Sequence, residues 1–258
     1  MGFIVNFART SLSLALIVAS SAVSADECVP SPWGADDQIG AANRVTPERT
    51  AAAAKLVKKG ISHPLGIVIE PGMPAYPPRY TQLQVVQPNQ QFSADLGVGW
   101  EASSNDDVLH MWLGTGPQLD GLGHMGEAGE FYNCNQGKDF SIITGLTKLD
   151  ISGIPPMVGR GVMIDIAKQM GVDSLQAGQP ITSDDIKAAM NSQGVTVGEG
   201  DVVLLHTGYT DAALKQNPSL WAESIPGITN EASVFLAGLK PMGGCRYLGL
   251  GRSTTACG

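Results

Sequence analysis

The feature that most constrains this chain is a strand–helix–strand run in its second half. "GRGVMIDIAKQMG" carries an apolar strand over 161–166, "TSDDIKAAMNSQG" reads as a helix, and "EGDVVLLHTGY" follows as a fully buried strand. Thr182 or Ser183 supplies the helix N-cap and Gly194 the stop. A hydroxyl accepts from the unpaired N–H groups of the first turn, and glycine tolerates the left-handed backbone of a helix end. Strand, helix and strand at this spacing argue for an α/β sheet with a crossover.

The flanking segments extend that reading. Thr46 caps a helix that begins at Pro47, runs through an alanine-rich stretch to Lys59 and ends at Gly60. A short β-like run covers 65–69, and "YTQLQVV" alternates polar and apolar as a half-buried strand does. "TNEASVFLAGLKP" predicts another helix, capped by Thr229 or Asn230. An α/β domain is expected to add a buried strand after Lys240, but "GGCRYLGLGRSTTACG" has no periodicity and does not read as one. With no repeat and no linker, 26–258 reads as a single α/β domain, a mixed β-sheet with flanking helices.

Residues 1–25 stand apart. Arg9 precedes an apolar run over 12–19, and small residues end at Ala25, the layout of a secretory signal. The run is well short of the roughly 20 residues that cross a bilayer. The expected location is therefore secreted or periplasmic. Cleavage removes Arg9 and takes the formal charge from −8 to −9. An acidic chain with no basic stripe has nothing to neutralise nucleic-acid phosphates or to hold an anionic membrane surface. In an oxidising compartment Cys28, Cys134, Cys245 and Cys257 are free to pair. Their three connectivities stay open, as does a set of four free thiols. Cys28–Cys134 is the favoured staple, because the two flank the first segment and the glycine-rich stretch.

That stretch, "GTGPQLDGLGHMG" over 114–126, concentrates the candidate chemistry. Asp120 and His124 are four apart, which puts them on one face of either a strand or a helical turn. A carboxylate with an imidazole is a donor pair that zinc or manganese accepts, and Gln118 shares the face of Asp120. The same spacing fits a tight glycine turn with a hydrogen-bonded histidine, and the residues alone leave both open. Trp112, Phe131 and Tyr132 flank the stretch as pocket walls or as core packing. His206 ends an apolar strand, where ligands gather in α/β sheets, but a satisfied core imidazole is the weightier reading. His110, four before Gly114, is a weaker candidate, and His63 carries no case. Asp106–Asp107 and Asp184–Asp185 read as solvated faces or caps.

From "WGADDQIGAANRVTPE" through "LDGLGHMGEAGEFYN" to "GDVVLLHTGYTD" and "PGITNEASVFLAGL", the chain resembles the cyclase family. That family includes bacterial kynurenine formamidases (arylformamidases) and isatin hydrolase. Its hallmark is His-x-Gly-Thr-His-x-Asp-x-Pro-x-His. On that pattern Asp120 matches the metal-binding aspartate, Gly116 the glycine and His124 the last histidine, while Glu231 falls where the family places a metal-binding or catalytic glutamate. Gly114 and Gln118 stand at the first two histidines, Pro117 at the threonine and Leu122 at the proline. The chain ends before the C-terminal strands such proteins carry.

The resemblance implies a swivelling β/β/α fold and a homo-oligomer. It implies hydrolysis of a small aryl formamide or cyclic amide by metal-activated water. Zinc or manganese would rest on Asp120, His124, Gln118 and Glu231, with Glu231 or His124 moving the proton. The alternative is a non-catalytic relative that keeps the fold to bind a small ligand or partner.

Overall fold

The computed structural model describes residues 28–86, 90–92, 102–221 and 224–246. The expected leader over 1–25, Cys257 and the end of the glycine-rich tail lie outside them.

Thr46 Oγ1 accepts from the Arg49 N–H (3.3 Å) and starts α1 (Pro47–Ala54) with proline at its first position. The helix stops at Ala54 and does not reach Lys59. It buries no side chain, and alanine propensity alone sustains only a short helix in water. Residues 65–69 form no strand, since no neighbouring segment among the described residues offers them a ladder. Ile67 and Met73 instead pack against Tyr209, Ala213, Trp221 and Ile225. β1 (Thr81–Val85) and β2 (Asp107–Met111) form an antiparallel ribbon with Leu83 opposite Leu109. β1 is more exposed than its alternation predicts: Leu83 and Val85 both reach solvent, because nothing described covers the ribbon.

The crossover lies where the sequence puts it. β3 (Gly161–Asp165) leads into a helical turn, Ile166–Gln169, where the Asp165 carboxylate accepts from the Lys168 N–H at 3.0 Å. α2 (Ser183–Gln193) follows. Thr182 and Asp185 cap each other there, and Gly194 closes the helix in left-handed conformation. β4 (Val202–His206) then pairs in parallel with β3, Val202 opposite Gly161 and His206 opposite Asp165. α3 (Tyr209–Gln216) and α4 (Asn230–Gly238) come next, α4 capped by Thr229. β5 (Gly243–Arg246) corrects the reading of the tail. It pairs in parallel with β4, giving the order β5-β4-β3. A free edge on β4 recruits this backbone whatever its side chains, and glycine-rich sequence hides such a strand from periodicity.

Parallel and antiparallel pairings are thus divided among small sheets of one mixed α/β domain. One face of the three-stranded sheet is dry: Val162, Ile164, Val203 and Leu205 pack with Ile186 and Ala189 of α2 and Ala232 of α4. Each fully buried aliphatic side chain contributes about 1.5–3 kcal/mol. The opposite face of β4 is only half-buried, so this strand is one-sided and not fully buried. Arg160 and Asp201 clamp the starts of β3 and β4, with Nε donating to Oδ1 at 3.0 Å and Nη2 to Oδ2 at 2.6 Å. Burial pushes the Asp201 carboxyl up, but the bonds from Arg160 and the Gly198 N–H outweigh it and hold it below its ordinary value.

Candidate functional site

The glycine-rich stretch is pinned against the loop at 149–151. A Cβ on Gly121 would lie 2.8 Å from the Leu149 carbonyl oxygen and 2.8 Å from the Ile151 nitrogen, so only glycine fits that approach. Gly123 donates its N–H to the Leu149 carbonyl (2.9 Å), and Leu122 is buried with Phe140 and Leu149. The His124 N–H closes a turn on the Gly121 carbonyl (3.0 Å). Asp120 and His124 project from this anchored turn, with Nε2 3.9 Å from Oδ2 and both side chains over a third exposed. The Gln118 amide donates to both oxygens of Asp120, at 3.1 and 3.4 Å.

These three side chains line one wall of a small cleft of about 80 Å³. Arg79, Thr115, Trp221 and Ile225 line it too. Arg79 reaches across 35 residues of sequence, and its Nη1 donates to the Gly114 carbonyl at 2.9 Å. A Cβ on Gly114 would come within 2.5 Å of the same Nη1. The guanidinium therefore fills the space that a side chain at Gly114 would need. Thr115 and Trp221 are 2% and 6% exposed, and among the described residues neither the Thr115 hydroxyl nor the Trp221 indole nitrogen has a hydrogen-bond partner. Buried donors without partners are uncommon and ask for an explanation.

Arg79, Thr115 and Trp221 were not evident from sequence. One signal was present: Arg79 is the only lysine or arginine between Lys59 and Lys138.

Other candidates lie elsewhere. Glu231 does not line the cleft. Its Oε1 accepts from the Ser183 N–H and the Thr229 hydroxyl, both at 3.1 Å, and these bonds hold its carboxyl below the usual range. A carboxylate in the first turn of α4 is drawn to the unpaired N–H groups at the start of α2, which corrects its assignment as a ligand beside Asp120. Phe131 stacks edge-on against Phe140 with centroids 5.2 Å apart, as core packing. The Tyr132 hydroxyl is hydrogen-bonded to Asp37 (2.5 Å) and Ser31 (2.8 Å). Burial and the Asp37 carboxylate raise its pKa to about 12. Trp112 is half-exposed and lies outside the cleft. His110 sits on β2 opposite Gln82, also outside the cleft.

His206 is exposed and not a core imidazole. Its Nδ1 lies 2.9 Å from Asp165 Oδ1 at the carboxyl ends of β4 and β3. A wider hollow of about 510 Å³ opens beside Asp165, Lys168 and Gln193. We place the site at the smaller cleft, because the Asp165 carboxylate and the Gln193 amide beside the hollow are already hydrogen-bonded.

Zinc and manganese are held by three or more protein donors. Gly114 offers none, Gln118 turns its N–H toward Asp120, and Glu231 is engaged at the helix ends. Among the described residues no three His, Cys, Asp or Glu side chains come together to hold an ion. The Arg79 guanidinium adds positive charge where a cation needs negative. The donor set does not fit the metal that the resemblance implies.

A family described as "Putative cyclase" matches residues 60–244. The crystal structure of a novel cyclase is 29% identical, covers 82% of this chain and 74% of its own, and superposes with a TM-score of 0.72. Isatin hydrolase A from Ralstonia solanacearum is 21% identical over 75% of this chain and 69% of its own, with a TM-score of 0.48. Isatin hydrolase A from Labrenzia aggregata, bound to benzyl benzoate, is 21% identical over 70% and 64%, with a TM-score of 0.43. No curated protein matches the chain.

Proposed function

The chain belongs to the cyclase family, and from that premise we propose that it hydrolyses a small amide, with the Asp120–His124 pair activating the attacking water. The observation that carries this reading is the 3.9 Å approach of His124 Nε2 to Asp120 Oδ2 on the wall of a cleft. Neutral His124 takes a proton from water as the water oxygen bonds to the substrate carbonyl carbon. The Asp120 carboxylate steadies the imidazolium that results. The C–N bond then breaks, the proton passes to the leaving nitrogen, and a carboxylic acid and an amine are released. The 3.9 Å separation is longer than a hydrogen bond, and such contacts tighten when substrate binds. The Gln118 amide holds the Asp120 carboxylate by donating to both of its oxygens.

Aryl formamides and cyclic amides are the substrates proposed from the family resemblance. Export is part of the same reading, supported by the Cys28–Cys134 disulfide, since such bonds persist in oxidising compartments. Fractionation of expressing cells tests it.

The test of activity is amine release from formanilide and ring opening of cyclic amides by the mature protein. Asp120→Ala and His124→Ala should each lower the rate by about 100-fold or more. His206→Ala, which removes the other Asp–His pair, should leave it unchanged. A folded protein that gives no turnover above buffer defeats the hydrolase reading and leaves the non-catalytic, ligand-binding one.

A further inference from the structure

The cleft already contains a cation. Arg79 is half-buried, spends one N–H on the Gly114 carbonyl (2.9 Å), and has no carboxylate within ion-pair distance among the described residues. A guanidinium carries five N–H donors, so the contact with Gly114 leaves most of them free. The Thr115 hydroxyl and the Trp221 indole N–H belong to the same walls, and among the described residues both are buried without partners. Asp120 supplies the opposing charge, but the Gln118 amide and His124 already engage it. Among the described residues, the cleft's own acceptors do not reach these donors.

The geometry points to Arg79 as the anchor of a metal-free site that binds the carboxylate of a small molecule. Guanidinium and carboxylate match as planar, bidentate partners, and charge-assisted bonds of this kind are about twice as strong as neutral ones. A volume of about 80 Å³ is far below the 300–1,000 Å³ of sites that enclose a whole drug-sized ligand. It therefore takes the charged head of a ligand and leaves the body at the mouth. The inference rests on the hydrolase reading in one respect only, that amide hydrolysis generates a carboxylate where Arg79 can receive it.

The experiment uses the mature full chain and needs no turnover. Calorimetry compares benzoate with neutral benzamide, and elemental analysis reads zinc and manganese after loading and desalting. We expect benzoate to bind more tightly than benzamide, with less than a tenth of an ion retained per chain. Arg79→Gln keeps an N–H donor for the Gly114 carbonyl but removes the charge. It should weaken benzoate at least 10-fold without altering the melting curve, whereas Arg79→Lys should retain part of the affinity. Equal binding of benzoate by wild type and Arg79→Gln overturns the inference, as does near-stoichiometric metal that is lost in Asp120→Ala. If both Arg79 variants unfold, the wild-type metal content and the benzoate-to-benzamide ratio decide alone. Benzoate binding without amide turnover defeats only the hydrolase reading.

Discussion

Replacing Cys28 and Cys134 by serine tests how the N-terminal segment is tied to the site. The disulfide closes a separation of 106 residues that contains Arg79, Gly114, Asp120 and His124. In the chain-entropy account, a cross-link over that length lowers the entropy of the unfolded chain by about 16 cal/mol/K, or about 4.8 kcal/mol at room temperature. The folded side changes little, because other bonds hold the same join. The Ser31 N–H donates to Asn133 Oδ1 (2.9 Å), and the Asn133 amide donates to the carbonyls of Gly34, Ala35 and Asp37 at 3.0, 3.0 and 3.1 Å.

The double variant should therefore fold with the same native spectrum but lose about 3–5 kcal/mol, a large share of a typical domain's stability. Urea unfolding followed by tryptophan fluorescence measures it. The denaturant slope should rise, since the uncrosslinked chain exposes more surface when unfolded. A loss under 1 kcal/mol with an unchanged slope refutes the reasoning. It would mean that the segment before α1 detaches by itself and never shares the cooperative unit that holds the cleft.

Three further outcomes follow. Because Tyr132 keeps its proton up to about pH 12 when folded, against about 10 when unfolded, its contribution is present below pH 10 and fades as pH rises toward 12. Tyr132→Phe should flatten that alkaline slope in pH-dependent melts. Asp201→Asn strips Arg160 of its carboxylate partner and should cost about 2 kcal/mol in denaturant unfolding, less than a fully buried pair because Arg160 is partly exposed. Since the Asp201 carboxyl lies below its ordinary value when folded, its contribution is present above about pH 4 and lost on acidification, so the variant should also lose part of the acid dependence of stability. Gly114→His places atoms against Arg79 and should cost about 1–3 kcal/mol in wild type. In an Arg79→Ala background the same change should cost far less, and a double-mutant cycle with additive energies would contradict the shared space.

Local chemistry made much of the fold legible. Thr46, Thr182, Gly194 and Thr229 act as read, because a cap depends on its own side chain and on the N–H groups two or three residues away. Outcomes set by distant partners were not legible. α1 ends early for want of a buried face, 65–69 lacks a ladder, and Gly243–Arg246 becomes a strand only because β4 has an edge to offer. The same division runs through the site. Asp120 and His124 meet through a local turn, whereas the partners of Glu231 include the start of a helix 48 residues away.

Gly114 shows why a motif comparison along the sequence misjudges this site. Read against the family hallmark, glycine in place of the first histidine is a lost ligand. In three dimensions the vacated volume holds a guanidinium from a loop 35 residues upstream. Positive charge is retained while coordination is lost, and the two have different chemical consequences. A divalent ion polarises a carbonyl and also lowers the pKa of a bound water. A guanidinium can steady a developing oxyanion by hydrogen bonds, but it supplies no nucleophile. In the proposed hydrolysis the water would then be activated by a side chain, with His124, on the cleft wall beside Asp120, as the base. Amide hydrolysis by this chain should then be indifferent to chelators and gain nothing from added zinc or manganese. Arg79→Gln should lower kcat more than it raises KM, because a developing oxyanion needs the charge more than a neutral carbonyl does. Activity that disappears with a chelator and returns with zinc would show that the donor set is completed in a way the geometry of Gly114 and Arg79 forbids, and the assignment of Arg79 would fall with it.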